Sequence, residues 1–521
     1  MLGIPSKALI PFLLLLFLSP SFASAEEKEI RILYLNDFHG FAESYKPLGS
    51  REMMGGIPYL AAKVNELRKE KPSLLLSAGD MIQGNAWANL FQGESVVEVM
   101  NTMHFDAMVA GNHEFDFGQE VLKKSISEAS FPVLGANVEG VGLLKPYVIK
   151  ELDMIRIAII GLTTEDTPVS THPRNVYGLK FLPPADTVLN YLRELEDRAD
   201  IVLVLSHIGY QTDRALAEQV KGIDVIVGGH SHTRVDKPTV VGKTIIVQAW
   251  EHGKVLGVLD LTLDNEKIVK AEGHLEEIRP ETGKEDGEVL AVVEKYKQKV
   301  DEVLGERVGE TEIDLDGEDV RRAETNLGDL ITDIMRQASG ADVAILNGGG
   351  IRTSIKKGEI KVKDVYSVLP FDNYIVAIKL IGREIKEALE HGVSAIEKEE
   401  GRFPQVSGVV FTYSPSADIG SRVKEVIVSG KPLDPDKEYS VATNDFLAAG
   451  GDGYRAFGDA IKASKDFAVI GGMMKGDKLV YSDSGRWLKD IVVQYIKEKK
   501  TIAPKAEGRI KEVPCNENIC Q

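Results

Sequence analysis

The sequence has only two cysteines among its 521 residues, and both of them, Cys515 and Cys520, lie in the last seven positions. Neither a disulfide framework nor a thiolate metal site can therefore hold the core together. An exported chain meets an oxidising environment, so we expect at most a disulfide that closes a small loop within the tail.

Positive charge is also scarce, because 62 Lys and Arg residues face 80 Asp and Glu residues and leave a formal net charge of −18. A general nucleic-acid binder needs a basic surface to displace counterions, so we expect no nucleic-acid partner. A small anionic substrate remains compatible with this charge, since metal ions and local arginines can reverse the field inside a cleft.

Long hydrophobic runs are missing after the N-terminal segment. That segment has the pattern of a signal peptide: Lys7, an apolar run over residues 8–18, and a small-x-small cleavage motif at residues 23–25. An uncleaved anchor is the alternative, but the run is shorter than the ~20 residues that span a bilayer. We predict a secreted, extracytoplasmic protein that is cleaved near Ala25 and has no stable transmembrane anchor.

What the sequence does contain, from Glu29 onward, is an alternation of apolar runs and amphipathic stretches, which predicts strands interleaved with helices. The strands predicted for the first part of the chain are 30–35, 74–77, 107–110, 155–161, 201–205 and 223–227. The segments 244–247 and 255–263 alternate more strongly, so we expect the first domain to close with antiparallel strands.

A polar, glycine-bearing stretch at 281–287 predicts a linker, and the apolar residues after it repeat at helical spacing: Val289, Val293, Tyr296, Val300 and Val303. The second part of the chain predicts helices at 327–337 and 383–390 and strands at 343–346, 374–380 and 440–443. The predicted organisation is a signal peptide (1–25), a first domain (27–280), a linker and connecting helix (281–305), a second domain (306–512) and a tail (513–521).

Polar side chains follow five of the strands predicted in the first domain. In an open α/β sheet such positions gather at one edge and carry the chemistry. A lone histidine there would be an ordinary hydrogen-bonded loop residue, but five such segments in succession favour a metal centre. The candidate ligands are Asp37, His39, Asp80, Asn112, His207, His230 and His232. Carboxylate, amide and imidazole donors suit divalent ions such as Zn, Mn, Mg or Fe(II), and seven ligands suit two ions that share a carboxylate.

The ordered motifs Asp-x-His (37–39), Gly-Asp (79–80), Gly-Asn-His-Glu (111–114), His207 and Gly-His-x-His (229–232) resemble those of the calcineurin-like metallophosphoesterases. The extended motif at 111–116 resembles the 5′-nucleotidase branch. The resemblance implies one ion on Asp37, His39, Asp80 and His232, and a second on Asp80, Asn112, His207 and His230. It also implies that His113 is the catalytic histidine, acting on the phosphoryl oxygens or the leaving group, and that Asp116 orients it.

Three segments of the second domain, 347–352, 369–373 and 443–454, place glycine or turn residues beside Asn347, Arg352, Phe371 and Phe446. Taken singly, each fits an ordinary loop or a core aromatic. Together they resemble the C-terminal substrate-binding domain of the 5′-nucleotidases. By that resemblance Phe371 and Phe446 sandwich the base, Asp452 contacts the ribose, and the nucleoside and phosphate are contacted by Arg321, Asn347, Gly349 and Arg352. Arg322 is adjacent, and the sequence does not fix which of the two arginines points inward.

The resemblance implies an α/β and α+β fold, with an N-terminal metallophosphoesterase β-sandwich flanked by helices. A helix joins it to a smaller α/β C-terminal substrate-binding domain. Because metals and base pocket lie on different domains, catalysis requires a cleft that closes, and the family closes it by rotating the C-terminal domain. We expect the hinge near residues 288–304.

The predicted function is that of a secreted 5′-nucleotidase with two divalent ions (Zn, Mn, Co or Mg), which hydrolyses nucleoside phosphates. A UDP-sugar hydrolase and a 2′,3′-cyclic-nucleotide phosphodiesterase are alternatives on the same scaffold. A thiosulfohydrolase is a weaker one, since it has no use for a base-stacking aromatic pair. A non-catalytic nucleotide-binding surface protein is the alternative from another class. None of these motifs bears on the oligomeric state.

Overall fold

The computed structural model describes residues 27–47, 50–280, 283–470, 473–482 and 486–514. The predicted signal peptide and both cysteines lie outside these ranges, so the export and disulfide predictions stay predictions. Within the described ranges every helix is too short or too polar to cross a lipid bilayer.

The first part of the chain forms two six-stranded sheets. In spatial order, the first sheet contains Lys267–Glu277, Val255–Asp264, Lys28–Leu35, Ser73–Ser77, Ala107–Val109 and Val133–Leu134. The second contains Thr239–Val241, Thr244–Gln248, Val225–Gly228, Ile201–His207, Ile155–Thr163 and Tyr147–Leu152. A two-stranded ribbon, Val138–Glu139 with Lys180–Phe181, lies beside them.

Strand alternation explains why the two sheets pack as a sandwich. Ile30, Ile32 and Tyr34 point into one apolar cluster that also contains Ile157 and Leu203 from the second sheet. The side chains in between point outward and are covered by helices. The helices of this part are Ile57–Leu67, Ala86–Asn89, Glu94–Thr102, Gln119–Glu128, Thr167–Ser170, Pro184–Leu195 and Tyr210–Gln219.

The strands predicted in this part are confirmed to within two residues, but the closing strands behave differently from each other. Val255–Asp264 is antiparallel to Lys28–Leu35 and to Lys267–Glu277, as expected. Thr244–Gln248 belongs to the other sheet, where it is antiparallel to Thr239–Val241 on one side and parallel to Val225–Gly228 on the other. Alternation records which face of a strand is buried and carries no information about the neighbouring strand, so sheet membership was not predictable from it.

The connecting helix is Gly287–Leu304, and Asp286 caps it by accepting hydrogen bonds from two backbone N–H groups of its first turn. Its first three turns pack on the core of the first part, and its last turn packs beside Val362 and Tyr366 of the second. The prediction that Val303 belongs to the apolar face is wrong: Val303 is 61% exposed, and Leu304 is the buried residue of that turn. Positions 303 and 304 both follow Val300 at helical spacing, so periodicity did not separate them.

The second part is a smaller α/β unit around a five-stranded sheet: Pro404–Ser407, Val343–Asn347, Glu438–Asn444, Ile375–Ile381 and Leu479–Ser482. Its other strands are Lys431–Pro432, Val423–Val428, Val409–Tyr413, Ile510–Glu512, Gly358–Lys361, Arg307–Thr311, Thr501–Ile502, Ala468–Ile470 and Met473–Lys475. Its helices are Asn326–Ser339, Val362–Val368, Gly382–Gly392, Asp445–Ala448, Arg455–Lys462 and Leu488–Lys499. Alternate residues of Val343–Asn347 enter two separate apolar clusters, so this sheet is covered on both faces.

Candidate functional site

The candidate metal ligands come together at the carboxyl ends of the central strands of both sheets. These strands are mutually parallel within each sheet, so their carboxyl ends share one edge of the sandwich. The ligand atoms of Asp37, His39 and His232 lie within 4.8 Å of one another. Those of a second group, which contains Asp80, His207 and His230, do so as well. Six of the seven predicted metal ligands therefore form two adjacent clusters.

The backbone at these ligands is unusual. Five of the seven have φ angles between +49° and +74°, in the left-handed region that side chains other than glycine rarely adopt: Asp37, His39, Asp80, His230 and His232. Such conformations cost on the order of 1 to 3 kcal/mol each and persist where the surrounding structure imposes them, which is typical of functional sites.

Hydrogen bonds fix the orientation of the buried imidazoles. His39 Nδ1 lies 2.8 Å from the backbone oxygen of Gln83 and donates its proton to it. His207 Nδ1 donates in the same way to the backbone oxygen of Ala78, at 2.6 Å. In both rings Nε2 is therefore the nitrogen that faces the ligand clusters. Nε2 of His207 lies 3.0 Å from Oδ2 of Asp80.

The charge balance of the second cluster fits a bound cation. Burial opposes protonation of His207, but the Asp80 carboxylate outweighs it and raises the pKa of His207 to about 10. This buried carboxylate therefore requires positive charge beside it. Burial lowers the pKa of His230 to about 3, so this imidazole is neutral and available as a ligand.

Asn112, the seventh candidate, supplies an independent indication. Its side-chain oxygen is buried and makes no hydrogen bond within the described part of the chain. Buried polar atoms are nearly always satisfied, so this oxygen has the property of a metal ligand whose ion is required to complete the site. Carboxylate, imidazole and amide donors of this kind fit divalent cations.

Two carboxylates in this region were not among the candidate site residues of the sequence analysis. Oε2 of Glu251 lies 2.5 Å from Nδ1 of His232, and Oε1 lies 2.6 Å from the ammonium nitrogen of Lys254. It therefore fixes the His232 ring so that Nε2 faces Asp37 and His39. His252 lies close enough to form a third group with His232 and Glu251. The Lys254 ammonium already neutralises Glu251, so the group is better suited to support His232 than to hold another ion.

Glu114 is the second such carboxylate. It is buried and accepts backbone N–H groups from Asp80 at 2.9 Å, Met81 at 2.7 Å and Gly111 at 2.6 Å. It therefore ties the loop of Asp80 to the loop of Asn112. Its position inside the Gly-Asn-His-Glu motif is the only sequence signal for it.

His113 and Asp116 form a pair at the rim of the clusters. His113 Nδ1 lies 2.5 Å from Asp116 Oδ2, and the ring centroid of His113 is 5.3 Å from that of His39. Burial opposes protonation of His113, but Asp116 and Asp80 outweigh it and raise its pKa. The pair can thus hold and orient a proton next to the candidate metal ligands.

A cavity of about 1300 Å³ joins this rim to the second part of the chain. Its lining includes all seven predicted substrate-binding residues: Arg321, Asn347, Gly349, Arg352, Phe371, Phe446 and Asp452. Arg321 faces the cavity, whereas Arg322 is half exposed and pairs with Asp319 at 2.7 Å. The structure thereby distinguishes two arginines that the sequence left equivalent.

Contacts across the cavity bring the two parts close together. The ring centroid of Phe371 lies 5.9 Å from that of His113, and Nη2 of Arg352 lies 3.0 Å from Nε2 of His39. Burial, together with the charge of Arg321, lowers the pKa of Arg352 to about 10. Two guanidinium groups that repel each other beside the candidate metal ligands make a site that favours an anion.

The remaining pocket residues are held by each other. Asn347 donates a hydrogen bond from Nδ2 to Oδ2 of Asp452 at 2.6 Å. The Phe446 ring packs so closely on Gly451 that a Cβ there would clash with it, which explains a glycine at this position. A hydrogen-bonded carboxylate and amide thus line the cavity together with the two aromatic rings, the arginines and the metal ligands.

The chain matches two family models, calcineurin-like phosphoesterase over residues 30–234 and 5′-nucleotidase, C-terminal domain, over residues 307–459. It is 32% identical to the 5′-nucleotidase of Homo sapiens, over 97% of this chain and 95% of the human protein. It is 34% identical to the trifunctional nucleotide phosphoesterase protein YfkN of Bacillus subtilis, over 93% of this chain but only 35% of that longer protein. Among solved structures, the 5′-nucleotidase precursor from Thermus thermophilus superposes with a TM-score of 0.84 at 35% identity, covering 94% of this chain and 100% of that one.

Proposed function

We propose, on the premise that the chain belongs to the 5′-nucleotidase family, that it hydrolyses nucleoside 5′-phosphates to nucleoside and phosphate at a two-metal centre. The family makes the chain a metal-dependent phosphoester hydrolase. The finer assignment rests on one observation above all: the cavity that reaches the metal ligands also contains both phenylalanines and both arginines of the second part.

In this proposal Asp37, His39, Asp80 and His232 would hold the first ion, and Asp80, Asn112, His207 and His230 would hold the second. When bound, such a pair would supply activation of water and neutralisation of the phosphoryl oxygens, which otherwise repel an anionic nucleophile.

The chain's own groups do the remaining work in this proposal. Arg352 and Arg321 bind the phosphate, and their fixed guanidinium forks orient it toward the metal ligands. His113 stabilises charge on the phosphoryl group or protonates the leaving oxygen, and Asp116 holds its Nδ1. Phe371 and Phe446 stack on the base, Asp452 accepts hydrogen bonds from the ribose, and Asn347 and Gly349 border the nucleoside.

Hydrolysis of a substrate panel tests this function. The mature chain is treated with a chelator and then assayed for phosphate release with Mn, Zn, Co or Mg. The panel contains AMP, a UDP-sugar, a 2′,3′-cyclic nucleotide, thiosulfate-type substrates and a small aryl phosphate. We expect metal-dependent release with the highest kcat/KM for a nucleoside 5′-phosphate. A higher kcat/KM for the UDP-sugar would indicate a UDP-sugar hydrolase, and a higher value for the cyclic nucleotide would indicate a cyclic-nucleotide phosphodiesterase. If no metal supports phosphate release, the result would favour a non-catalytic nucleotide-binding protein.

Export and domain organisation belong to the same proposal. We propose that residues 1–25 are a cleaved signal peptide, and that residues 27–280 and 306–512 are the two domains, joined by residues 281–305. Sequencing of the exported protein from its N-terminus should begin at Glu26. A protein retained in the cytoplasm, or one that keeps residues 1–25, would contradict secretion.

A further inference from the structure

The segment from Thr167 to Val176, which lines the cavity on the side of the first part, contacts both the His113–Asp116 pair and the aromatic pocket. It consists of a short helix, Thr167–Ser170, and a 3₁₀ turn, Pro173–Val176, with Thr171 and His172 between them. No sequence motif pointed to it.

On one side the segment holds Asp116. The Thr171 hydroxyl donates a hydrogen bond to Asp116 Oδ1, and the opposite oxygen, Oδ2, faces His113. The side-chain amide of Asn175 donates to the backbone oxygen of Asp116 at 2.6 Å. Thr171 is almost completely buried. A carboxylate that is fixed at one oxygen and through its backbone presents its other oxygen to His113 in a single direction.

On the other side the segment contacts the aromatic pocket. His172 Nε2 lies 3.4 Å from Oδ2 of Asp445, the residue that precedes Phe446. The backbone N–H of Arg174 donates to Nδ1 of His172 at 3.3 Å, so Nε2, the nitrogen nearer the carboxylate, is the donor of this ring. The other oxygen of Asp445 accepts the backbone N–H of Tyr374 at 3.1 Å, three residues after Phe371.

Asp445 therefore connects the loops of both aromatic rings, and His172 connects Asp445 to the residue that fixes Asp116. The contacts form one continuous chain: Phe446 and Phe371, Asp445, His172, Thr171, Asp116 and His113. Thr171 and His172, like Asp445 and Phe446, are neighbours in the sequence, and the 3.4 Å contact between His172 and Asp445 joins the two parts of the molecule.

We propose that Thr171 is a positioning residue for the His113–Asp116 pair and that His172 couples its position to occupation of the aromatic pocket. A base between the rings fixes Asp445, and Asp445 fixes the segment that holds Asp116. Substrates that carry a base are thereby turned over faster than substrates that only fill the phosphate site. This inference rests on the proposed function, which supplies the roles of His113 and the aromatic rings.

The test compares kcat and KM for AMP and for a small aryl phosphate in five proteins: the parent, Thr171→Val, Thr171→Ser, His172→Ala and His172→Gln. Thr171→Val should lower kcat on both substrates by roughly 10-fold to 100-fold, the effect of losing a hydrogen bond to a charged group. KM should change little. Thr171→Ser keeps the hydroxyl and should restore kcat. His172→Ala should lower kcat for AMP alone, and His172→Gln, which keeps a donor, should restore it.

Thr187→Val is the matched control, because Thr187 is also buried but donates to the backbone oxygen of Pro183, and neither residue lines the cavity. Thermal unfolding of every variant monitors folding. If Thr171→Val unfolds, Asn175→Ala removes the other contact to Asp116 and should lower kcat in the same way.

An unchanged kcat in a folded Thr171→Val variant would overturn the positioning role while the parent still hydrolyses AMP. Equal losses on both substrates in His172→Ala would overturn the coupling. A parent that hydrolyses the aryl phosphate but not AMP would instead refute the proposed nucleotidase function, and the Thr171 comparison on the aryl phosphate would still decide the positioning role.

Discussion

Arg352 Nη2 lies 3.0 Å from Nε2 of His39, although the two residues are 313 positions apart and belong to different parts of the molecule. One comes from the glycine-rich loop of the second part, and the other follows the first strand of the sandwich. The contact places a guanidinium donor directly beside the proposed metal centre, so the cleft between the two parts is closed here in the conformation described.

We predict that Arg352→Ala lowers kcat/KM by roughly 10-fold to 150-fold, because a charge-assisted hydrogen bond to phosphate is lost. The loss should be similar for AMP and for a small aryl phosphate, since both carry the phosphate. Arg352→Lys should recover only part of it, because lysine keeps the charge without the guanidinium fork. Arg322→Ala is the control, since Arg322 is half exposed and pairs with Asp319, and a comparable loss there would contradict the assignment.

For Asp80→Asn we expect turnover to be abolished while the chain still folds, because this carboxylate is proposed to serve both ions. Metal analysis after dialysis should show loss of one or both ions. Asp418→Asn, at an exposed aspartate, provides the control. Activity within about tenfold of the parent at saturating metal would rule out the two-metal assignment.

The aromatic pair separates a nucleotidase from a general phosphatase. Stacking on a base contributes about 1 to 3 kcal/mol per ring, so Phe371→Ala or Phe446→Ala should each weaken kcat/KM for AMP by roughly 5-fold to 150-fold. The aryl phosphate has no base and should be affected far less. Comparing the two substrates within one variant cancels damage to folding. Equal losses would mean that the rings serve packing.

Glu251→Gln should weaken metal affinity about 10-fold to 100-fold, because the carboxylate that orients His232 loses its charge. A competition titration with a chromophoric chelator measures the affinity without requiring activity. Glu276→Gln is a matched control: Glu276 also contacts a histidine, His274, at 3.0 Å, but at the surface. If the Glu251→Gln variant and the parent bind the metal ion with equal affinity, Glu251 serves packing and does not support metal binding.

Asp213 supplies a prediction about pH and stability. It is fully buried, accepts a hydrogen bond from the Ser206 hydroxyl at 2.6 Å, and its Oδ2 makes no hydrogen bond within the described ranges. Burial raises the pKa of Asp213 from 3.8 to about 7. Between these values the unfolded state holds fewer protons than the folded state, so the carboxyl makes the parent less stable as the pH rises.

The free energy of unfolding of the Asp213→Asn variant, minus that of the parent, should therefore increase from about pH 4 to pH 7 by on the order of 4 kcal/mol. Above pH 7 this difference should stay constant. Denaturant unfolding in the presence of a chelator measures it. The amide introduced at position 213 does not titrate, so its missing hydrogen-bond partner changes the free energy of unfolding by the same amount at every pH. If this difference in the free energy of unfolding does not change with pH, Asp213 is ionised in the folded protein throughout the range from pH 4 to pH 7.

The sequence predicted best what is local. The strands were found because burial on one or both faces leaves a direct pattern of apolar residues, and the candidate ligands were found because they follow those strands. Glu251 and Thr171 were missed, since a buried glutamate and a buried threonine look like any other until the contacts that hold them are known. The strands Val409–Tyr413 and Val423–Val428 were missed as well, although they alternate, because no motif drew attention to them.

The left-handed backbone of the proposed ligands has a consequence for how ions exchange. Ordinary packing and hydrogen bonds within the sandwich, such as those of Glu114, hold these loops in their unfavourable conformation. The free-energy cost of this backbone conformation is thus met when the chain folds and does not have to be met again when a metal ion binds. A chelated sample should accordingly reload within the time of mixing, without a slow conformational phase, and successive ions of different size should enter the same preorganised frame.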